Sequence, residues 1–483
     1  MVDIIKDCDL LKEKCLINGE WVDAENNATI NIYNPFDQEI IANVPKLSDF
    51  QIIQAIESAG LAFKDWKNLL AVERSTFLMK WNNLILENIE DLAKIIVLEQ
   101  GKPLKEAIGE IKYSASYIEF YAEEAKRIYG DIIPSPFRDT RILILKQPVG
   151  VVGIISPWNF PAAMMIRKIA PALAAGCTCV IKPDETTPLT AFAFAELSLR
   201  AGFPKGVLNF VTGVPENIGN IMTESEIVKK ISFTGSIEVG KLLMKKSSQT
   251  LKKITLELGG NAPFIVFDDA NIDNATNGLM DSKFRNAGQT CVCANRVFVQ
   301  KGIRKIFENK LTKKVKELII GNGFDNVDIG PLINQNAIIK LEHLLAEAVE
   351  KGANIILGGK RHSCGANFFE PTIVSEVHPG MEIFCTEIFG PIVTIIEFET
   401  VDEVIEMANN TKSGLASYFY SNDINNIWKV SEGLEYGMVG VNSGIISSAH
   451  IPFGGVKESG FGREGSKYGI DDYINIKCIH LKS

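Results

Sequence analysis

Apolar positions recur with a helical spacing in the first part of this chain. Ser48 and Gln51 form a capping-box pattern ahead of an apolar stretch that stops at Gly101. A second amphipathic stretch covers residues 104–129 and ends at Gly130. Because both stretches have the period of an amphipathic helix, the first part of the chain is expected to be mainly helical.

From Ile142 onward, short apolar runs alternate with helical patterns. Runs typical of strands occupy residues 149–155, 178–181, 207–211, 230–233 and 254–256, and helical patterns occupy residues 161–175 and 188–201. A second alternation follows Gly259 and Gly260. It has strands at 264–267, 296–300, near Ile355 and at 392–398, with a helix at 272–286. Strands that alternate with helices predict two α/β domains, each built on a mostly parallel sheet with both faces covered.

The length and the charge narrow the class of protein. A chain of 483 residues with 46% hydrophobic residues exceeds the roughly 250–300 residues at which one core stops growing, so two or more domains are expected. The formal net charge of −9 argues against a nucleic-acid partner. No apolar run reaches the roughly 18 residues of a membrane span, and the acidic N-terminus disfavours a targeting peptide. We expect a soluble cytoplasmic protein without a membrane partner.

The nine cysteines are an odd number spread along the chain, which is not the framework of a secreted disulfide protein. Reduced thiols are therefore expected. Neither C-x-C pair has the spaced partners of a zinc site, and the five histidines form no metal-binding pattern, so no metal is expected.

Cys291 and Glu257 are candidates for covalent chemistry. Cys291 ends a polar, glycine-bearing run that begins at Arg285, and Glu257 precedes the pair Gly259 and Gly260. A thiolate attacks electrophilic carbon, and a carboxylate activates the water that releases an acyl group. A lone cysteine is more often a buried packing residue and a lone glutamate a surface carboxylate, but the polar surroundings of the cysteine favour the nucleophile.

Several motifs identify a resemblance to the aldehyde dehydrogenase superfamily. They are S-P-W-N-F-P at 156–161, F-T-G-S at 233–236, L-E-L-G-G at 256–260, G-Q-T-C at 288–291 and E-I-F-G-P at 387–391. Their order and spacing match over essentially the whole chain. Residues 284–293, 437–442 and 446–448 are most similar to the succinate-semialdehyde dehydrogenases.

The resemblance implies an α/β fold of the aldehyde dehydrogenase type, with two doubly wound parallel-sheet domains and a small oligomerisation hairpin and tail. Residues 1–125 and 147–258 are then a domain that binds NAD, residues 259–465 a catalytic domain, and residues 126–146 and 466–483 the oligomerisation elements. A homodimer or homotetramer follows from the same comparison.

The resemblance also implies roles for three catalytic residues. Cys291 is the nucleophile, and Glu257 is the general base for hydrolysis of the thioester. Asn159 and the backbone N–H of Cys291 hold the oxyanion, which physically needs preorganised donors. Viewed alone, Asn159 is equally typical of a turn. Cys293 suggests a further hypothesis, a redox disulfide with Cys291, against the simpler interpretation that it is a packing residue.

By resemblance, a wide set of residues binds the cofactor: Pro157, Trp158, Lys182, Pro183, Asp184, Glu185, Gly235, Ser236, Val239, Gly240, Leu258, Glu387 and Phe389. Glu185 favours NAD over NADP, because a carboxylate at roughly 4 Å from a 2′-phosphate repels it by about 4 kcal/mol at an effective dielectric of about 20. The alternative is that Glu185 turns to solvent while Lys182 receives the phosphate.

Arg167, Arg285 and Ser447 are the predicted clamp for the distal carboxylate of succinate semialdehyde, again by resemblance. From the pattern alone, Arg167 also fits a solvated helix face. Glutarate semialdehyde or a broader range of ω-semialdehydes is the enzymatic alternative, since one methylene discriminates by only about 1–3 kcal/mol. Ala449 and His450 depart from near relatives beside this clamp. A catalytically silent dinucleotide-binding or structural protein is the alternative outside enzymes.

Overall fold

The computed structural model describes residues 4–482. Its α-helices are α1 (Asp49–Trp66), α2 (Ala71–Glu87), α3 (Ile89–Gln100), α4 (Leu104–Glu124), α5 (Ala163–Ala175), α6 (Leu189–Arg200), α7 (Pro215–Glu224), α8 (Ile237–Ser247), α9 (Ile272–Lys283), α10 (Arg304–Lys316), α11 (Gln335–Glu350), α12 (Glu382–Cys385), α13 (Val401–Asn409) and α14 (Ile424–Gly433).

Its β-strands are β1 (Cys15–Ile17), β2 (Glu20–Val22), β3 (Thr29–Tyr33), β4 (Ile40–Pro45), β5 (Asp131–Ile133), β6 (Thr140–Pro148), β7 (Val151–Ile155), β8 (Thr178–Lys182), β9 (Leu208–Phe210), β10 (Val228–Thr234), β11 (Lys253–Glu257), β12 (Ala262–Val266), β13 (Ala294–Gln300), β14 (Asn354–Leu357), β15 (Thr372–Ser375), β16 (Ile392–Phe398), β17 (Ser413–Gly414), β18 (Ala416–Tyr420), β19 (Met438–Val441), β20 (Val456–Lys457), β21 (Gly460–Phe461) and β22 (Ile474–Lys482).

The larger sheet has the strand order β2-β1-β9-β8-β7-β10-β11-β21. Its strands from β9 to β11 run parallel, whereas β1 and β21 pair antiparallel at the two ends of that set. Every residue of β8 is buried, which is typical of a parallel strand covered on both faces. Thr234 and Glu257 are paired at the carboxyl ends of β10 and β11, and ligands bind at this end of such sheets.

The second sheet has the order β14-β15-β16-β13-β12-β18-β19, parallel except for its edge strand β14. Each sheet has its own hydrophobic core. Leu258 belongs to the first core and Ala262 to the second, so the chain passes from one to the other just after Glu257. The predicted α/β class is confirmed, while the domain boundaries stay a prediction.

A three-stranded antiparallel sheet with the order β22-β6-β5 lies apart from the two larger ones. The strands β6 and β22 pair over their whole length, from Ile474 opposite Pro148 to Lys482 opposite Thr140. Apolar side chains on this sheet remain exposed, including Ile132 at 77% and Ile476 at 73%. Within residues 4–482, no helix combines the length and the hydropathy needed to cross a membrane.

The strands β1 to β4 differ from the expectation that the first part is mainly helical. They are only three to six residues long, so their alternation is too short to stand out. The pair Asn18 and Gly19 is the sequence signal that marks the turn between β1 and β2. Both residues have positive φ, 53° and 75°, as an Asn-Gly hairpin turn requires. The capping box of Ser48 and Gln51 is confirmed at the start of α1.

Candidate active site

Two cavities meet at Cys291. A smaller cavity of about 250 Å³ and a groove of about 390 Å³ share Cys291 and Met164. The smaller cavity is also lined by Glu106, Gly109, Glu110, Tyr113, Phe160, Arg167, Arg285, Thr290, Val292, Ser447 and Phe453. The groove is also lined by Pro157, Trp158, Asn159, Thr234, Gly235, Ser236, Glu257, Leu258, Gly259, Ile333, Asn334, Asn336, Ala337, Lys340, Glu387, Ile388 and Phe389. The thiol is therefore accessible to two different ligands.

A strained turn presents the thiol. The predicted helix at 272–286 ends early, at Lys283, because Asn286 and Ala287 have φ of 52° and 53° and Gly288 has φ of 77°. A Cβ on Gly288 would lie 2.2 Å from the carbonyl oxygen of Gly390, so this position needs glycine. Left-handed backbone at non-glycine residues persists only where surrounding contacts enforce it.

Asn286 supplies those contacts. Its backbone N–H donates to Glu106 Oε2 at 2.7 Å, and its side-chain Oδ1 accepts a hydrogen bond from Gln100 Nε2 at 2.8 Å. Its Nδ2 donates to the backbone oxygen of Asn159 at 2.9 Å. Side chains before and within α4 thus hold the turn that precedes Cys291.

Burial governs the thiol itself. The side chain of Cys291 is half-buried, and desolvation raises the pKa of its thiol to about 12. Arg167 and Arg285 oppose this rise, whereas the carboxylates of Glu387 and Glu257 add to it. The thiol is therefore protonated at neutral pH, and its proton must be removed before or during attack on a substrate.

Glu257 lies at the end of β11 and is buried, contrary to the alternative of a surface carboxylate. Neither of its carboxyl oxygens has a hydrogen-bond partner among the described residues. Desolvation, followed by the charge of Glu464, raises the pKa of Glu257 well above its ordinary value, while Arg167 and Lys168 oppose the rise. A buried carboxyl group with unpaired oxygens and a raised pKa is suited to accept a proton from water.

Asn159 lies between β7 and α5, and its side chain reaches the groove beside Cys291. Its Nδ2 donates one hydrogen bond to the backbone oxygen of Gln289 at 2.9 Å. An amide nitrogen carries two N–H groups, so the second is available to a ligand. The carbonyl oxygen of Asn159 accepts from Lys102 Nζ at 2.8 Å as well as from Asn286.

Seven of the predicted cofactor residues line the groove: Pro157, Trp158, Gly235, Ser236, Leu258, Glu387 and Phe389. The rings of Trp158 and Phe389 meet edge to face, with their centroids 5.6 Å apart. Ser236 caps α8 by accepting a hydrogen bond from Val239 N at 3.3 Å, so the start of this helix faces the groove. Glu387 Oε1 accepts a hydrogen bond from Gly260 N at 2.9 Å, and burial raises the pKa of Glu387 to about 7.

The other six cofactor candidates, Lys182, Pro183, Asp184, Glu185, Val239 and Gly240, lie outside the groove lining. Lys182 ends β8, beside β7, and its Nζ lies 2.5 Å from Glu185 Oε2. Burial, followed by the charge of Glu185, raises the pKa of Asp184. A Cβ on Gly240 would lie 2.6 Å from Leu258 Cδ2, so glycine lets α8 pack closely against the groove wall.

The first turns of α11 and the segment before it also line the groove, and sequence reasoning missed them. The residues are Ile333, Asn334, Asn336, Ala337 and Lys340, and Lys340 Nζ donates to the backbone oxygen of Glu387 at 2.7 Å. Asn334 caps α11 through Ala337 N, which is a readable helix start. Nothing local indicates that this helix start faces Glu387.

The three predicted clamp residues all line the smaller cavity. Arg167 in α5 is buried, so the interpretation as a solvated helix face is wrong. Its Nη2 lies 2.6 Å from Glu464 Oε2, and its guanidinium lies 3.8 Å from the centre of the Phe453 ring. Arg285 Nε is buried and has no hydrogen-bond partner among the described residues. An unpaired guanidinium N–H in a cavity favours an anionic ligand.

Cys293 lies outside both cavity linings. Its buried Sγ donates to the backbone oxygens of Ala294 and Lys283 at 3.5 and 3.7 Å. Burial raises the pKa of the Cys293 thiol, while Lys283 opposes the rise. The thiols of Cys291 and Cys293 therefore have different surroundings, and the disulfide stays a hypothesis.

Comparisons with known proteins show which proteins this chain is similar to. Residues 21–479 match the aldehyde dehydrogenase family. The chain is 52% identical to a succinate-semialdehyde dehydrogenase [NADP(+)] of Escherichia coli strain K12, over 99% of this chain and 100% of the relative. It is also 52% identical to a glutarate-semialdehyde dehydrogenase of Pseudomonas aeruginosa, over 99% of each chain. A crystal structure of an NADP-dependent enzyme of E. coli superimposes with a TM-score of 0.99 at 51% identity, over 99% of this chain and 100% of that one.

Proposed function

This chain belongs to the aldehyde dehydrogenase family and has its fold, and on that premise we propose that it oxidises succinate semialdehyde to succinate. The main support is the position of Cys291, which lies in both cavities. One cavity carries Arg167 and Arg285 for a carboxylate, and the other carries groups that suit a nicotinamide dinucleotide. Each ligand can therefore reach the sulfur from its own side.

The groove has the features that a dinucleotide requires. It lies at the carboxyl ends of β10 and β11 and beside the start of α8, where backbone N–H groups favour a pyrophosphate. Trp158, Ser236, Glu387 and Phe389 would hold the ligand, and a Cβ on Gly259 would lie 2.8 Å from Glu387 Oε2 and crowd this wall. When bound, the nicotinamide dinucleotide accepts the hydride of the aldehyde.

The chain's own residues provide the covalent steps. Cys291 Sγ gives its proton to solvent and adds to the aldehyde carbon, which gives a tetrahedral oxyanion. The free N–H of Asn159 Nδ2 and the backbone N–H of Cys291 stabilise this negative charge. Loss of hydride leaves a thioester on Cys291.

Glu257 completes the turnover. Its unpaired, buried carboxylate takes a proton from water, and the resulting hydroxide attacks the thioester carbon. The carbon–sulfur bond breaks, the acid product leaves, and Cys291 is regenerated. A raised pKa makes the Glu257 carboxylate a stronger base for this step.

Arg167, Arg285 and Ser447 support a substrate with a distal carboxylate. Glutarate semialdehyde is the second candidate, because a relative with that printed name is as similar to this chain as the succinate-semialdehyde relative. A methylene difference shifts binding by only about 1–3 kcal/mol, so the clamp alone favours neither strongly.

An aldehyde panel tests the proposal. Absorbance at 340 nm is followed with succinate semialdehyde, glutarate semialdehyde and butanal, for wild type and for Cys291→Ala. We expect the highest kcat/KM with succinate semialdehyde and no turnover in the variant. A higher kcat/KM with glutarate semialdehyde would favour the second candidate, and wild-type protein inactive on every aldehyde would favour a silent protein.

NAD is the proposed cofactor rather than NADP. The carboxylates of Glu185 and Asp184 follow β8, where they would repel a 2′-phosphate, although Lys182 Nζ lies 2.5 Å from Glu185 Oε2. We expect a higher kcat/KM with NAD, and a shift toward NADP in Glu185→Ala. Equal preference in wild type and variant would contradict this assignment; the E. coli relative named above carries NADP in its name.

The domain division and the assembly are proposed as the sequence predicts them. Residues 1–125 and 147–258 bind the dinucleotide, and residues 259–465 carry the nucleophile. The segments 126–146 and 466–483 supply the three-stranded sheet, whose exposed apolar side chains suit contact with a second copy of the chain.

A further inference from the structure

We propose that the buried ion pair of Lys102 and Glu110 positions Asn159 as the oxyanion donor. This inference rests on the proposed function, because it assigns these two residues to the same oxyanion site. Glu110 also lines the smaller cavity. We assign both residues a positioning role, because their hydrogen bonds go to the backbone that carries Asn159.

The pair is fully enclosed. Lys102 lies between α3 and α4, and its Nζ lies 2.6 Å from Glu110 Oε2, with both side chains at 0% exposure. The same ammonium group lies 3.8 Å from the centre of the Phe160 ring. Desolvating two charges is expensive, and well-packed apolar residues are often at least as stabilising. The conformational stability of the fold alone therefore gives little reason for this pair.

Both partners bind the segment that contains Asn159. Lys102 Nζ donates to the carbonyl oxygen of Asn159 at 2.8 Å. Glu110 Oε1 accepts hydrogen bonds from Ala162 N at 2.9 Å and from Ala163 N at 3.2 Å, at the start of α5. One ion pair thus fixes the carbonyl of Asn159 and the amides three and four residues later.

The carbonyl of Asn159 also connects to the nucleophile turn. Asn286 Nδ2 donates to the same oxygen at 2.9 Å, and Asn286 belongs to the left-handed turn before Cys291. The oxygen therefore receives one donor from the segment between α3 and α4 and one from the turn before Cys291. The spacing between the oxyanion donor and the sulfur depends on both.

Positioning matters because a small displacement of the oxyanion donor weakens its hydrogen bond to the oxyanion. One N–H of Asn159 Nδ2 is used by Gln289 O, and the direction of the other follows from the backbone at Asn159. Catalytic groups must be held within about 0.5 Å of productive geometry. A displacement near 1 Å reduces rates by about 100-fold, so loss of the ion pair should slow oxyanion formation without changing the clamp.

A cofactor-free reaction isolates this effect. With 4-nitrophenyl acetate, Cys291 Sγ bonds to the acyl carbon through an oxyanion, and 4-nitrophenolate leaves while the thiol proton goes to solvent. The burst rate of 4-nitrophenolate is measured for wild type, Lys102→Met with Glu110→Gln, Asn159→Ala, and the triple variant. The paired substitution removes both charges together, so neither is left buried alone.

We expect the effects of the paired substitution and of Asn159→Ala on the burst rate not to be additive. The paired substitution should reduce the burst about 10- to 100-fold in wild type but less than about threefold when Asn159 is already alanine. The KM for succinate semialdehyde should stay within about twofold, because Arg167 and Arg285 are untouched and Glu110→Gln keeps the size of the side chain that lines the cavity. If the paired variant fails to fold, Glu110→Gln alone replaces it, and its effect on the burst rate is again compared with and without Asn159→Ala.

Lys230→Met is the matched control. Lys230 is equally buried, and its Nζ donates to Thr255 Oγ1, away from Asn159. The burst rate of the Lys230→Met variant should remain within about twofold of the wild-type rate. An equal loss from the paired substitution in both backgrounds would overturn the positioning role while leaving the proposed function intact. An unchanged burst in Asn159→Ala would instead overturn the oxyanion assignment on which the inference rests.

Discussion

Desolvation raises the pKa of the Cys291 thiol to about 12, and the arginines of the clamp oppose it only in part. Under the proposed function, Arg167 and Arg285 have two effects. They bind the substrate carboxylate, and their charges also favour the thiolate. Glu387 and Glu257 act in the opposite direction. The reactivity of the sulfur depends on which of these groups is charged at a given pH.

Alkylation of Cys291 by iodoacetamide should accelerate steadily with pH. The thiolate is the reactive form, so below a pKa near 12 its fraction rises about tenfold for each pH unit. We expect the rate of labelling at Cys291, followed by peptide mass spectrometry, to rise across pH 7 to 9 without a plateau. The exposed Cys364 in the same sample serves as an internal reference. A plateau at Cys291 below pH 8 would contradict the raised pKa.

Substitution of Arg285 should separate charged from neutral aldehydes. Its Nε is buried and unpaired among the described residues, so it has an N–H group free for the substrate carboxylate. Loss of a hydrogen bond to a charged group costs about 1.5–3 kcal/mol, or about 10- to 150-fold. In Arg285→Gln, kcat/KM should fall by this factor for succinate semialdehyde and little for butanal. Equal losses for both aldehydes would mean that Arg285 does not bind the carboxylate.

At the scale of elements, an acidic side chain of one helix accepts hydrogen bonds from the first backbone N–H groups of another helix. Glu110 in α4 does this for α5. Glu99 near the end of α3 accepts hydrogen bonds from Leu189 N at 2.7 Å and from Thr190 N at 2.9 Å at the start of α6. Both helix starts lack a side-chain cap of their own, so the cap comes from a distant part of the chain.

Removing the cap at α6 should destabilise the protein. Glu99 is fully buried, and Glu99→Ala leaves two buried N–H groups unpaired. The expected loss in the free energy of unfolding is about 2–4 kcal/mol. Urea unfolding followed by tryptophan fluorescence measures it. Glu119→Ala, on the exposed face of α4, is the control and should change stability by less than about 0.5 kcal/mol. Similar midpoints for the two variants would refute the capping role.

The alternation of runs predicted the parallel strands β7 to β13 and β16. Among them, β8 and β12 are buried along their whole length and read as continuous apolar runs. The parallel strands β15, β18 and β19 were not predicted, and neither were two further features. The strands β1 to β4 are too short to show alternation, and only the turn at Asn18 and Gly19 marks them. α9 ends three residues before the predicted position, because contacts from distant Glu106 and Gln100 fix the backbone at Asn286.

At the scale of the whole molecule, the three-stranded sheet stands out because its apolar residues stay in solvent. Ile132 and Ile476 are 77% and 73% exposed, on a sheet whose strands come from residues 131–148 and 474–482. Exposed apolar groups of this kind mark contact surfaces. The sheet therefore suits the homodimer or homotetramer that the sequence predicts.

A charge placed on this sheet should weaken the assembly. Burying the lysine of Ile476→Lys in an apolar interface without a partner is unfavourable, so the variant should elute as a smaller species than wild type in size-exclusion chromatography with light scattering. Leu61→Lys, 64% exposed on α1, is the control and should leave the mass unchanged. Wild-type protein that is monomeric would remove the basis for the oligomerisation elements.

The sequence by itself determined the α/β class, the helix starts with local caps, and the motif residues Cys291, Glu257 and Asn159. These are encoded over a few neighbouring positions, as periodicity, turn chemistry or a short motif. Only the tertiary structure showed that Arg167 is buried against Glu464, that Lys102 donates to the backbone oxygen of Asn159, and that Lys340 faces the groove. These contacts join residues far apart in the chain, and no local pattern specifies them, because they depend on how whole elements pack.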